Sequence, residues 1–448
     1  MYKNSKYNFH FYNENNELLI FNTRTQNRIC ISREYAKNIE KLLCGKEDEY
    51  CVPDKIREEL VKREFLIPED TDELRLLKMK HNEAVFGTDS LTLEILPTND
   101  CNLRCVYCFE NPVKSRMSQE TENRIIKFLK RNIPKIKEFR LDWFGGEPLL
   151  EKDIMIRISK EANQLCKKYG VPMYGTISTN GVLLDLDTFN NLIQNRIIEF
   201  QICIDGPREF HNSTRPHDKG KDSYEMIINN LKEIKENVKV NYFRIALRCN
   251  VTPHVIPYLE RHINELYKIF GNDNRFYIMF QGVNDWGGER IKQTDVLKKR
   301  HNVYQKYYNM AKNIGLTSAE KLPFAPFKYC PGYKKNGFVV NYDGNIYKCS
   351  LILPDEKNNI DNKIGYLNEA GNAVIDENKL ARWLVSDPLL KTECEKCIMV
   401  PVCMGGYCPY KKNVTKTEKC NLEMKEMLVA QLECARKSKQ LEILGEGK

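Results

Sequence analysis

No run of about 18 apolar residues, the length that would carry a helix across a bilayer, occurs in this sequence. The opening residues, Met1-Tyr2-Lys3-Asn4-Ser5-Lys6, are polar and lead into no apolar core of a signal peptide. A cytoplasmic protein with no membrane partner is expected. Basic charge is not concentrated either. The 70 Lys and Arg face 61 Asp and Glu, leaving +9 with no Lys/Arg block of the kind that forms a nucleic-acid arm. An evenly solvated surface and no nucleic-acid partner follow. Low-complexity tracts and internal repeats are missing as well, so the chain is neither disordered nor fibrous.

What it has in plenty is cysteine. Seventeen cysteines in a reducing compartment point to metal rather than to a disulfide framework, and they are clustered. At 448 residues the chain exceeds one ordinary domain and suggests two or three.

Residues 1–80 alternate strand-like runs with amphipathic stretches. Tyr7–Tyr12 and Leu18–Phe21 read as a hairpin. Ser32 can cap a helix with Tyr35, Ile39, Leu42 and Leu43 on one face, and Pro53 can open another with Ile56, Leu60 and Val61. Their sum is a winged-helix-like domain. Residues 81–90 read as a linker. Over 91–325, candidate strands Leu91–Leu96, Phe139–Phe144, Met173–Ser178, Glu199–Ile204, Phe243–Val251 and Phe276–Phe280 alternate with helical patterns Gln119–Arg131, Asp153–Tyr169, Ser223–Asn237 and Pro257–Phe270. Six such units give an α/β partial (β/α)6 barrel with chemistry at the C-terminal ends of the strands. From 326 to 448 short segments carry seven more clustered cysteines, with Cys434 apart from them, and little periodicity. Metal is expected to hold that part together. From Leu422 to Leu441 helical spacing returns.

Cys101-Asn-Leu-Arg-Cys105-Val-Tyr-Cys108 follows the first barrel strand directly. Three soft thiolates on one loop suit zinc or an iron–sulfur cluster, and no fourth Cys or His stands nearby to close a zinc site. The motif resembles that of the radical S-adenosylmethionine (SAM) superfamily. The resemblance implies that Cys101, Cys105 and Cys108 hold a [4Fe–4S] cluster whose free iron chelates SAM, and that an adenosyl radical then abstracts hydrogen. Tyr107 matches the aromatic position near the adenine. Later strand ends carry further matches in the same order. Gly145-Gly146-Glu147-Pro148 resembles the motif at SAM's amino end, where glycines let backbone approach and a carboxylate can accept from an ammonium. Ser178 and Asn180 match the ribose segment, Asp205 the end of the fourth strand, and Arg215 a SAM-carboxylate contact. Cys203 departs from the pattern, standing where serine is usual.

The remaining clustered cysteines resemble the SPASM extension, which binds two auxiliary [4Fe–4S] clusters in enzymes that modify peptides. Carried over by position, Cys394, Cys397, Cys403 and Cys420 complete one cluster, while Cys330, Cys349 and Cys408 hold the other. The latter has three ligands, and its open iron is expected to take a substrate thiolate. Three clusters and SAM are therefore the implied cofactors. In relatives that modify ribosomally made peptides, a module of this size and order binds the precursor's leader peptide as an added strand. The partners so implied are a precursor peptide and an electron donor such as flavodoxin or ferredoxin. A cross-linking maturase, thioether formation foremost, is the leading reading. Sulfatase-maturase-like formylglycine formation competes with it, although those enzymes place an aspartate where this chain has Ser350. A non-catalytic metal-binding, DNA-associated regulator is the reading from another class.

Overall fold

In a computed structural model of the chain, residues 1–45, 52–286, 290–297, 300–318, 330–351, 360–385, 392–403, 408–414, 416, 423–437 and 441–445 are described. The first segment builds a small module. Strand β1 (Tyr2–Asn4) is followed by the hairpin β2 (Asn8–Tyr12) and β3 (Leu18–Asn22), which turns at the left-handed Asn16, and then by β4 (Arg28–Ile31). Helices Arg33–Leu43 and Asp54–Lys62 come next, and β5 (Leu66–Pro68) returns to pair with β1. The apolar face of these helices, Ile39, Leu43, Ile56 and Leu60, packs on Leu18, Ile20, Ile29 and Ile31.

Two local expectations fail here for identifiable reasons. Ser32 stands at the N-cap position, but its side chain makes no cap bond and its hydroxyl donates to the Gly445 carbonyl. Residues 81–86 are not linker. They belong to a helix, Glu73–Phe86, capped by Asp72, whose Leu77, His81 and Val85 are buried at four-residue spacing.

Six parallel strands follow: β6 (Ser90–Leu96), β7 (Glu138–Trp143), β8 (Met173–Thr179), β9 (Ile197–Cys203), β10 (Arg244–Val251) and β11 (Phe276–Gly282). They lie in sequence order across the sheet. Such winding fits a partial barrel rather than an open sheet that reverses at its middle. The intervening helices begin where the sequence offers an acceptor: Ser118, Asp185 and Asp222 each take a backbone N–H of the first turn. Helices Leu186–Gln194, Arg208–Thr214 and Arg300–Asn313 are additional to those read from periodicity.

The region beyond residue 325 is held by strand pairing and apolar packing. Strand β12 (Gly337–Asn341) pairs in parallel with β6, and β13 (Asn345–Tyr347), β14 (Lys363–Leu367) and β15 (Ala373–Ile375) continue antiparallel, so among the described residues the barrel sheet has ten strands. Phe338, Val340, Ile346, Ile364 and Trp383 enter the barrel's core. The helix Glu423–Lys437 turns to the other end of the chain. Its Leu428 and Leu432 pack with Leu19, Phe21, Met399 and Val402, and β16 (Ile443–Leu444) joins β4. Among the described residues no helix is long and apolar enough to cross a membrane.

Candidate active site at the C-terminal ends of the barrel strands

Parallel pairing brings the C-terminal ends of β6 to β10 to one rim, and the residues singled out in the sequence lie there. The loop after β6, which carries the three cysteines, is clamped from two sides. Gly146 N–H donates to Thr98 O and Glu147 N–H to Asp100 O on one side. On the other, Arg104 N–H donates to Pro216 O and Val106 N–H to Thr214 O. The first clamp requires glycine. A Cβ at Gly146 would sit 2.2 Å from Asp100 O, and Gly145 adopts φ of 116°.

Cys101, Cys105 and Cys108 pack against one another's surroundings at the barrel core and interact electrostatically as a set. Burial pushes Cys101 up to about 12 and raises the other two. Unmetallated, these thiols stay protonated; a bound cation is what deprotonates them. Leu103 N–H lies 3.4 Å from Cys101 Sγ, and Asn180 Nδ2 lies 3.9 Å from it while donating to Asn102 Oδ1 at 2.7 Å. Among the described residues no three such side chains converge as a single-ion site, and a polynuclear cluster spaces its thiolates more widely than one ion does.

Glu147 is fully buried. Its carboxylate accepts from Thr179 Oγ1 at 2.6 Å, Asn180 N–H at 2.7 Å and Leu149 N–H at 3.0 Å, ties that join the ends of β7 and β8. Burial raises its pKa, and these donors partly offset the rise. Ser178 accepts from Gln201 on the neighbouring strand at 3.3 Å.

Tyr107 points its hydroxyl into a polar knot. It accepts from Arg215 Nη1 at 2.6 Å and Asn250 Nδ2 at 3.0 Å, and it donates to Asp205. Asp205 Oδ1 accepts from Asn250 N–H at 2.9 Å, and Asp205 N–H donates to Nδ1 of a neutral, buried His211. Arg215 is buried, sits among Cys105, Tyr107, Cys203 and Asp205, and keeps a buried Nε with no hydrogen-bond partner among the described residues. A buried guanidinium with an unused donor beside three soft thiols fits an anionic ligand next to an iron–sulfur cluster.

The clustered cysteines of the C-terminal region fall into two places. Cys349 and Cys408 pack against the barrel core and interact with Cys330. Cys394, Cys397 and Cys403 lie on short turns packed against Tyr7, Leu77, Phe9 and Phe11 of the first module. Cys420 lies outside the described residues.

Sequence reasoning missed what lies between. Glu94, inside the apparently apolar strand β6, interacts with Ser350, Asp142, Arg140, Cys349 and Glu110. Burial pushes Glu94 up to about 7 and Glu110 up to about 8. A lone acid in a buried β-pattern was the available signal. Asn250, tying Tyr107 to Asp205, gave none.

Residues 95–268 match the Radical SAM superfamily. The cysteine-type anaerobic sulfatase-maturating enzyme of Clostridium perfringens is 24% identical over 342 residues, 70% of this chain and 88% of that enzyme. The solved structure of native anSMEcpe with bound AdoMet and Kp18Cys peptide covers 78% of this chain and 98% of its own, with TM-score 0.56 and 21% identity. That of Streptococcus suis SuiB covers 91% and 95%, with TM-score 0.50 and 16% identity. The cysteine loop and the rim around it thus lie within residues 95–268, and the chain is an enzyme that carries a radical SAM domain over those residues.

Proposed function

We propose that this enzyme is a peptide maturase of the SPASM type, which removes hydrogen from a ribosomally made precursor peptide and closes an intramolecular cross-link, a thioether from a cysteine. One observation carries the reading. Cys108 interacts with Glu110, Glu110 with Glu94, and Glu94 with Cys330 and Cys349, so two acids link the tripod to the second group of thiols. A peptide side chain entering there lies between two groups of thiols.

Cys101, Cys105 and Cys108 would hold a [4Fe–4S] cluster, with SAM beside it, and together these supply hydrogen-atom abstraction. Gly145 and Gly146 would admit backbone close to the cofactor, Asn180 and Ser178 would meet its sugar, and Arg215 would offer its unused Nε–H to the carboxylate. Glu147 would hold β7 and β8 in register beneath it. Cys330, Cys349 and Cys408 would carry one auxiliary cluster and leave a position for the substrate's thiolate, while Cys394, Cys397, Cys403 and Cys420 would carry the other. Residues 1–80 would bind the leader, residues 91–325 the cofactor and core peptide, and residues 326–448 the auxiliary clusters. A flavodoxin or ferredoxin would supply electrons.

The similarity to SuiB takes in 91% of this chain, against 78% for the anSMEcpe structure. A second reading has its own support in the 24% identity to the sulfatase-maturating enzyme. Formylglycine formation would then replace cross-linking. Tandem mass spectrometry of the peptide after anaerobic turnover separates the two. A loss of two hydrogens per event with fragmentation blocked between two residues supports the cross-link, and a hydrazide-reactive aldehyde supports formylglycine. Cys101→Ala should abolish SAM cleavage, whereas Cys330→Ala should retain it and lose the cross-linked product.

A further inference from the structure

The N-terminal sheet is ordered β16-β4-β3-β2, so one of its edges is closed by the chain's own last described residues. The closure is made as an added strand is made. Cys30 N–H donates to Glu442 O at 3.0 Å and Ser32 N–H to Leu444 O at 2.9 Å, in parallel register with Ile443 opposite Cys30. Side chains read the segment as well. Glu442 pairs with Arg63, which is itself held by Glu59 and aimed at the Arg28 carbonyl. Ile443 packs with Leu19, Phe21 and Cys30 on one face, and Leu444 with the helix-covered core on the other. Gly445, at φ of 85°, ends the strand against Tyr35, and its carbonyl accepts from Ser32 Oγ at 3.0 Å.

The seat is built so that its occupant can leave. The strand is two residues long, its side chains are only half-buried, and Glu442 is 57% exposed. Ser32 has forgone the cap bond that its position at the start of helix Arg33–Leu43 invites. When the tail departs, the Ser32 hydroxyl is released from the Gly445 carbonyl and is free to turn to the first turn of its helix. An open edge strand with unpaired N–H and C=O groups then remains, the usual template for an incoming strand.

We propose that the β4 edge is a docking site for an extended peptide bearing an acidic residue followed by two aliphatic residues, and that residues 442–445 are a resident competitor for it. The proposal rests on the reading of residues 1–80 as a peptide-recognition module. It adds where the peptide sits, what sequence it carries, and that it must displace the tail.

The test uses the full chain, the chain ending at Leu441, and a labelled synthetic peptide of residues 440–448. The shortened chain should bind this peptide at least tenfold more tightly than the intact chain, and lysine in place of the peptide's Glu442 should cost at least tenfold. Hydrogen exchange should show protection returning at Cys30 and Ser32. Equal binding by both chains, or protection at Asn8–Tyr12 on the opposite edge instead, overturns the proposal. A full-length Arg63→Glu variant covers the case in which shortening unfolds the module. Its Cys30 and Ser32 amides should exchange at least tenfold faster than in the parent, and unchanged exchange there also overturns it. The peptide encoded by a short reading frame beside the gene separates this from the maturase reading. If that peptide is modified yet binds intact and shortened chains alike, the displacement fails and the maturase stands. If the tail peptide binds and the encoded one neither competes nor is modified, the docking edge stands and the maturase reading fails.

Discussion

Arg215 Nη1 lies 2.6 Å from the Tyr107 hydroxyl and 4.0 Å from the Asp205 carboxylate, so the phenol stands between a buried cation and a buried anion. A ring that served only to stack on a cofactor would tolerate loss of its hydroxyl. This one would not. Tyr107→Phe removes the acceptor of two hydrogen bonds and the donor of a third. The expected cost is about 1–3 kcal/mol of stability, measured by urea unfolding, with a lowered yield of 5′-deoxyadenosine because Arg215 is free to turn toward Asp205. Parent-like stability in the variant would show the hydroxyl to be dispensable.

Gly146 tests the clamp on the cysteine loop. A methyl group there would meet backbone atoms of Asn99 and Asp100 below 3.0 Å, and backbone cannot move aside as a side-chain end can. Gly146→Ala should therefore displace the loop that begins at Cys101, at a cost of roughly 1–3 kcal/mol. Iron content at the tripod and SAM cleavage should fall together. An alanine variant with full iron and full cleavage would mean that the loop is not set by this contact.

The alternation of strand and helix was readable because each barrel element satisfies a local rule: apolar strands of six to eight residues, and helices opened by Ser118, Asp185 or Asp222. The cysteine motifs were readable because spacing alone brings thiols together on a loop. What escaped depends on partners distant in sequence. Nothing in Gly337–Asn341 says that it will lie beside β6, and nothing in Ile443–Leu444 names β4 as its neighbour. Ser32 illustrates the same limit within one residue. Its local preference is the helix cap, and a carbonyl 413 residues away takes the hydroxyl instead. Glu94 was hidden by the opposite effect, an acid in a strand that otherwise reads as buried.

Glu94 also gives a pH dependence of definite sign. Its folded pKa, pushed up to about 7 by burial and by Asp142, exceeds the ordinary value of about 4.3. The folded state thus holds a proton that the unfolded chain has released. The stabilising contribution is fully present below pH 4.3 and is lost as pH rises through 7. Glu94→Gln cannot titrate, so the stability of the parent relative to the variant should decline between pH 5.5 and 8, by on the order of 1 kcal/mol. Removing this neighbour should also lower the midpoint of Glu110, which its charge raises. Unfolding series at three pH values decide the matter, and a parent that gains on the variant as pH rises contradicts the assignment.

Glu17 and Arg436 join the two ends of the chain, with Arg436 Nη2 at 2.6 Å and Nε at 3.0 Å from the two carboxylate oxygens and Asn13 completing the shell. The arginine bonds, first among the causes, hold Glu17 below the usual carboxylate range. This contribution is present above about pH 4.3 and is lost as pH falls through the lower, folded value. Glu17→Gln keeps the shape but leaves the guanidinium, four-fifths buried, facing a neutral amide. A loss of about 2 kcal/mol is expected, less than for a fully buried pair. It should localise to helix Glu423–Lys437, read as faster exchange there at pH 7 while β6 to β11 are unchanged. Because β16 follows that helix, the same variant should also loosen the Cys30 and Ser32 amides. If the helix loosens and these two amides do not, β16 is held by the β4 edge alone, and the helix that precedes it contributes nothing to its seating.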